Sequence, residues 1–200
     1  MVEVRLLGIF EDSVHRDFVS ALVGAALRAA KLSPTIDARL TRGCHVRVFQ
    51  EHAQRGGEYR GIVVGIDARK ARPSDKRQCL ARYLPRTDRV LWCVARPSVD
   101  EWLLSDTEAL RLALAADHDD VGPVHHPSRR ASAEGTAKDR LRNAVSSALG
   151  FPPLRGGREY AAEVGARVSA ARVGARRNPD LHQLLTVDLP RFVRSLTTAS

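Results

Sequence analysis

The heptapeptide Gly61-Ile62-Val63-Val64-Gly65-Ile66-Asp67 decides the fold. It is continuously apolar, rich in β-branched residues, and closes on an acid. A strand that is apolar on both faces belongs inside a parallel sheet covered by helices. Working outward, Val2-Glu3-Val4-Arg5-Leu6-Leu7-Gly8-Ile9-Phe10 alternates at first and then becomes continuously apolar, as a second buried strand would. Glu11-Asp12-Ser13 follows and offers oxygens that can cap a helix. Val14, Phe18, Leu22, Ala25 and Ala29 recur at helical spacing, which predicts a helix to about Lys31, ended by Ser33-Pro34.

Cys44-His45-Val46-Arg47-Val48-Phe49 alternates and predicts a further strand; residues 54–60, with Gly56-Gly57, predict a loop. Beyond Asp67, the pattern predicts a helix over residues 74–84, broken by Pro85, and a strand over 88–95, ended by Arg96-Pro97. A helix capped by Ser98 then runs to about Ala116. The alternation of strands and helices predicts an α/β fold of Rossmann-like type, with a mostly parallel four-stranded sheet flanked by helices. Residues 1–116 would form this core, 117–137 a polar loop, and 138–200 a helical C-terminal extension packed on the core. Helices are expected in that extension near residues 138–149, 158–173 and 180–196.

The 200 residues suit one domain with an appendage. A formal net charge of +9 favours polyanionic partners, whether nucleic acid, nucleotides or an acidic protein surface, or else reflects a solvated basic surface. Aromatic residues are only 5%, so the core must come from Val, Leu, Ile and Ala, with Trp92 and Trp102 expected inside it. Cys44, Cys79 and Cys93 have no pairing spacing, which points to reduced thiols and a cytoplasmic protein. The chain lacks an apolar run long enough to span a membrane, and its start lacks the pattern of a signal peptide. It carries no phosphate-loop signature of the Gly-x-x-x-x-Gly-Lys-Ser/Thr kind.

Ligands of open parallel sheets bind beyond the carboxyl ends of the strands. Glu11 follows the first strand and Asp67 ends the central one, so both carboxylates should project from one edge. Two acids there can hold Mg²⁺, a hard cation that polarises a phosphodiester and activates water. Arg69, Lys70 and Arg72 crowd the loop beyond Asp67, either as a phosphate grip or as a solvated surface. His118, Asp119, Asp120, His125 and His126 satisfy no zinc spacing and read as polar loop. Cys44-His45 reads as a strand pair rather than a catalytic couple. Arg158, Arg167, Arg172, Arg176 and Arg177, opposite Ala161, Val164, Val168 and Ala171, predict an amphipathic basic helix.

Gly8-Ile9-Phe10-Glu11-Asp12-Ser13-Val14-His15-Arg16-Asp17-Phe18 resembles the opening of TOPRIM domains, where a strand ends in a glutamate before a turn and a helix. Ile62-Val63-Val64-Gly65-Ile66-Asp67-Ala68-Arg69 resembles their second motif, a strand ending in Asp-x-Asp. Val94-Ala95-Arg96-Pro97-Ser98-Val99-Asp100-Glu101-Trp102-Leu103-Leu104-Ser105-Asp106 resembles a segment of a little-characterised bacterial TOPRIM-like family, with its acid-Trp-Leu-Leu-x-Asp string. The resemblance covers roughly the first 110 residues. It implies a TOPRIM fold and phosphodiester chemistry dependent on Mg²⁺ (or Mn²⁺), as in topoisomerases, primases and nucleases: a nuclease or another phosphodiester-processing protein. Glu11, Asp67 and Glu101 would be catalytic, Glu11, Asp67 and Asp100 metal ligands, and Arg69, Lys70 and Arg72 would hold nucleic acid. The sequence departs from the pattern at Arg69, which stands where Asp-x-Asp has its second acid. Asp100, Glu101 and Asp106 are the candidates to compensate. The alternative is a catalytically degenerate module that binds nucleic acid or protein. Relatives of this family often accompany anti-phage systems or an ATPase partner, and a homodimer is among the expected assemblies.

Overall fold

Residues 2–41, 46–85, 89–126 and 135–198 are described by a computed structural model. Four strands form one sheet: β1 (Val2–Phe10), β2 (Leu32–Leu40), β3 (Gly61–Asp67) and β4 (Val90–Ala95). Their order is β2-β1-β3-β4 and every neighbouring pair is parallel. The heptapeptide is indeed internal, with its first six residues buried. The chain leaves β1 toward β2 on one side and returns to β3 on the other. That reversal opens a crevice between the carboxyl ends of β1 and β3.

Alternation along the strands feeds two cores. Leu7, Ile9, Ile62, Val64 and Trp92 pack under α2 (Val46–Ala53) and α3 (Pro73–Ala81), through Phe49 and Leu80. Leu6, Phe10, Val63 and Leu91 face the other side and meet α1 (Ser13–Ala29) through Phe18 and Leu22. Phe10 lies flat on that face because Gly8 and Gly65 leave room: a Cβ at either would come within 2.4 or 2.8 Å of its ring.

The second core also takes residues from α4 (Val99–Ser105), α5 (Thr107–Leu114), α6 (Ala137–Leu149), α7 (Ala161–Arg167), α8 (Pro179–Gln183) and α9 (Leu189–Thr197). Trp102, Leu141, Val164, Leu181 and Phe192 belong to the same apolar cluster as Phe10. Helix α7 approaches α1 backbone to backbone; a Cβ on Gly165 would fall 2.2 Å from the Phe18 carbonyl oxygen. No helix among the described residues is long and apolar enough to cross a membrane. Cys79 and Cys93 are free thiols.

Three elements differ from the sequence expectation. The second strand is Leu32–Leu40, not residues 44–49. It pairs only with β1, and an edge strand tolerates a proline such as Pro34, which ends helices but not edges. Residues 46–49 open α2, whose Phe49 and Ala53 are buried at helical spacing, while Cys44 and His45 lie outside the described residues. The helix expected from Ser98 to Ala116 splits at Asp106. There the side chain caps α5 by accepting the Ala109 N–H at 3.0 Å. The same carboxylate accepts the Ser169 N–H at 2.9 Å and the Arg172 guanidinium, which stops α7 at Arg167. The single basic helix therefore does not form. Of residues 117–137, those described before 127 are irregular, and residues 127–134 lie outside the described part.

Candidate functional site at the carboxyl edge of the sheet

Glu11 extends the β1–β3 ladder by one step, its N–H donating to Gly65 O at 2.9 Å. The turn folds its side chain across the crevice. Glu11 Oε2 accepts the Asp67 N–H at 2.9 Å and Oε1 accepts the Arg69 guanidinium at 2.9 Å. The glutamate is only 5% exposed. The two acids singled out from the sequence thus meet, as neighbours at the ends of the two central strands.

Asp67 Oδ1 accepts two further bonds, from the Val99 N–H at 2.8 Å and from His15 Nε2 at 2.9 Å. The first caps α4, a task the sequence reading gave to Ser98, whose side chain makes no capping bond. His15 sits in the first turn of α1, fully buried. Its Nδ1 lies 2.8 Å from Asp12 Oδ1. Asp12 is the N-cap of α1 and also accepts the His15 N–H at 3.0 Å. Both ring nitrogens face carboxylate oxygens, so both must donate, and the ring is an imidazolium. Burial opposes that charge, but the bonds to Asp12 and Asp67 outweigh it and raise the His15 pKa to about 9. Burial likewise opposes the charge on Asp12, yet His15, helped by Arg158, brings its pKa down to about 2.

Asp100, also buried, is gripped by both nitrogens of a forked Arg158 guanidinium, Nε at 2.6 Å. Arg158 lies in the short turn before α7, so the C-terminal helices supply a member of the site. Glu101 pairs with Arg140 of α6 at 2.6 Å and does not line the crevice. Asp106 is a structural cap, as described above. Arg69 takes a left-handed backbone, φ 54°, held by its N–H to Pro97 O at 3.0 Å. Its side chain is 70% exposed, yet its guanidinium tip sits on a buried glutamate.

A cavity of about 450 Å³ opens here, with Asp67 and Asp100 on its wall and Arg69, Lys70, Lys138 and Arg140 around it. Lys70 and Lys138 are exposed and come from opposite sides, the β3 loop and the first turn of α6. Arg72 is exposed beside α3 and does not line the cavity. His118 is committed elsewhere, Nε2 to Tyr160 Oη at 2.9 Å.

Sequence reasoning missed His15, Arg140 and Lys138; it offered Asp12 only as a helix cap and Arg158 only as part of a basic helix. Only the Asp12–His15 pair left a signal, an acid three residues before a histidine at a helix start. Each carboxylate at this edge is engaged by a cation of the chain itself: Glu11 by Arg69, Asp67 and Asp12 by His15, and Asp100 by Arg158. Among the described residues no group of three or more His, Cys, Asp or Glu is placed to hold a metal ion. The donor set, with its cations in place, does not fit a divalent metal centre.

What fold and site define is an α/β protein with an all-parallel four-stranded sheet of Rossmann-like type and, at its carboxyl edge, four acids held by three cations of the chain. Compared with models of known protein families, with curated proteins and with solved structures, the chain matches none.

Proposed function

We propose that the protein is a TOPRIM-like module that binds a nucleic-acid phosphate backbone at this edge, its own cations standing where a divalent metal would sit. The observation that carries the reading is the Arg69 guanidinium on Glu11, 2.9 Å away. Glu11, Asp12, Asp67 and Asp100 are held by Arg69, His15 and Arg158, and exposed Lys70 and Lys138 turn the balance at this edge positive. Phosphates bind such a surface by displacing counterions, without reading sequence.

Fluorescence anisotropy with single-stranded and duplex oligonucleotides over a salt series tests this. The affinity should fall steeply with salt. The double substitution Lys70→Ala, Lys138→Ala should weaken binding by at least about tenfold and reduce the log–log salt slope by about 2. Binding that is absent at low salt, or indifferent to both lysines, would sink the proposal.

A second reading, a nuclease dependent on Mg²⁺ or Mn²⁺, is favoured by the meeting of Glu11 and Asp67. In it the metal would supply Lewis-acid activation of water, and Glu11, Asp67 and Asp100 would hold it once their cations withdrew. The two readings part at Arg69. On the binding-module reading the wild type takes up no Mn²⁺ in calorimetry, whereas Arg69→Asp frees Glu11, adds a carboxylate, and binds it. Nicking by the wild-type protein that Glu11→Gln abolishes would decide for the nuclease.

A further inference from the structure

We infer that the outer edge of β2 is a self-pairing interface, where a second copy of this chain lays its own β2 antiparallel and the two sheets become one. Strand β2 is the outermost on its side and is packed mainly by β1 and α1, whereas α8 and α9 pack against β4 at the other side. None of the residues of the carboxyl-edge site belongs to β2, so the inference stands apart from the proposed function.

The backbone of β2 supplies the first argument. In a parallel ladder alternate residues bond to the neighbouring strand, and the others turn their N–H and C=O outward. Thr41, just past the strand, donates its N–H to Phe10 O at 2.8 Å, so the odd-numbered residues of β2 face β1. Leu32, Pro34, Ile36, Ala38 and Leu40 therefore aim their backbone groups away from the sheet. Pro34 suits that side, because it has no N–H to leave unmade. Among the described residues no hydrogen bond is made by the backbone N–H of Ile36, Ala38 or Leu40. Such a row is a template for another strand. Proline guards only its first half; from Ile36 onward the register to β1 runs without a bulge, and Ala38 and Leu40 are exposed.

The side chains select the occupant and the register. Residues directly opposite in an antiparallel pair attract when their charges differ and repel when they match. A two-fold axis through Ala38 sets Ala38 against its own copy and Ile36 against Leu40. It also sets Asp37 against Arg39 of the second copy and, by symmetry, Arg39 against Asp37. An axis through Asp37 would oppose two aspartates, and one through Arg39 two arginines. An axis through Ile36 would bring Pro34 into a bonded pair with no N–H to give. The Ala38 register satisfies backbone, charge and apolar pairs together, as a self-complementary interface must.

Asp37 is held ready for this pairing. Arg5 Nη2 and Tyr59 Oη donate to it at 2.5 and 2.8 Å. Tyr59, with Arg5, keeps its carboxyl below the ordinary value. Arg39 makes no hydrogen bond or ion pair through its side chain among the described residues. The net charge of +9 opposes association, but at physiological salt charges further apart than about 8 Å are largely screened. The axis stands perpendicular to the sheet, so the two carboxyl edges point in opposite directions and both stay open.

Sedimentation equilibrium at about 0.15 M salt tests the interface. The wild type should dimerise with a dissociation constant of about 10–100 µM, as a small strand-edge contact allows. Ala38→Pro removes the N–H at the axis and should remain monomeric up to about 0.5 mM; Pro34 shows that this side of the strand accepts a proline. Arg39→Glu sets like charges opposite Asp37 twice and breaks no bond within the monomer, which keeps the test decisive should Ala38→Pro fold poorly. It should weaken the dimer by about tenfold or more. Amide exchange followed by NMR should show protection of Ile36, Ala38 and Leu40 that grows with protein concentration. The variant Lys70→Ala, Lys138→Ala should dimerise as the wild type does, whether or not it has lost nucleic acid. A wild type still monomeric at about 0.5 mM would overturn the inference. So would a dimer indifferent to Arg39→Glu, one that leaves the three amides unprotected, or one lost in the lysine variant.

Discussion

His15 ties three segments together at the scale of one side chain. It donates to Asp12 of its own helix cap and to Asp67 at the end of β3. Its pKa is raised from 6.5 to about 9, so its contribution is complete below pH 6.5 and is lost as pH rises through about 9. The loss integrates to about 3 kcal/mol over that window. Asp12 works in the opposite sense: the support it gives is present above its ordinary value of 3.8 and disappears as pH falls through about 2. Urea denaturation from pH 6 to 9.5 should therefore show declining stability. In His15→Gln that slope should flatten while stability at pH 6 drops by about 3 kcal/mol, because two carboxylates lose their buried partner. A wild-type profile that is level across the window would remove the charged imidazolium from the account. At this scale the sequence announced Glu11 and Asp67, since acids at strand ends are visible in a pattern. It did not announce Arg158, because nothing in local spacing says which of many arginines will fold back onto Asp100 from 58 residues away.

Elements were legible where their periodicity was long and their partners local. Strand β1, helix α1 and strand β3 follow the expected bounds closely, since each has an unbroken apolar signal. Strand β2 was hidden because an edge strand is half exposed and its Pro34 mimics a terminator. The breaks at Asp106 and Arg167 were hidden for a tertiary reason: one buried carboxylate caps α5 and captures the backbone at Ser169. The contact between α1 and α7 offers a test. Alanine normally favours a helix over glycine by about 1 kcal/mol. At Gly165 the new Cβ would meet the Phe18 carbonyl oxygen at 2.2 Å, so the helices must separate. Gly165→Ala should lower stability by about 1–3 kcal/mol, read as a lower denaturation midpoint at constant m. A midpoint at or above that of the wild type would show that α7 packs otherwise.

Considered whole, the molecule does not divide at its polar loop. Residues from α6 to α9 complete the same apolar cluster that covers one face of the sheet. A fragment of residues 1–126 should therefore lose cooperative unfolding and bind a hydrophobic dye, as an opened core does. A fragment that melts sharply would make the C-terminal helices an accessory. The overall charge of +9 fits the proposed partner, although composition alone could not say where the cations gather.

The forked grip of Arg158 on Asp100 also orders events in time. On the ribosome Asp100 emerges long before its partner, and until Arg158 follows, an acid destined for burial must stay hydrated. The first four strands can be made and paired while the edge they frame is still electrically incomplete. On the proposed reading, competence to receive a phosphate backbone arrives with the last third of the chain, so an interrupted product would carry the scaffold without the surface.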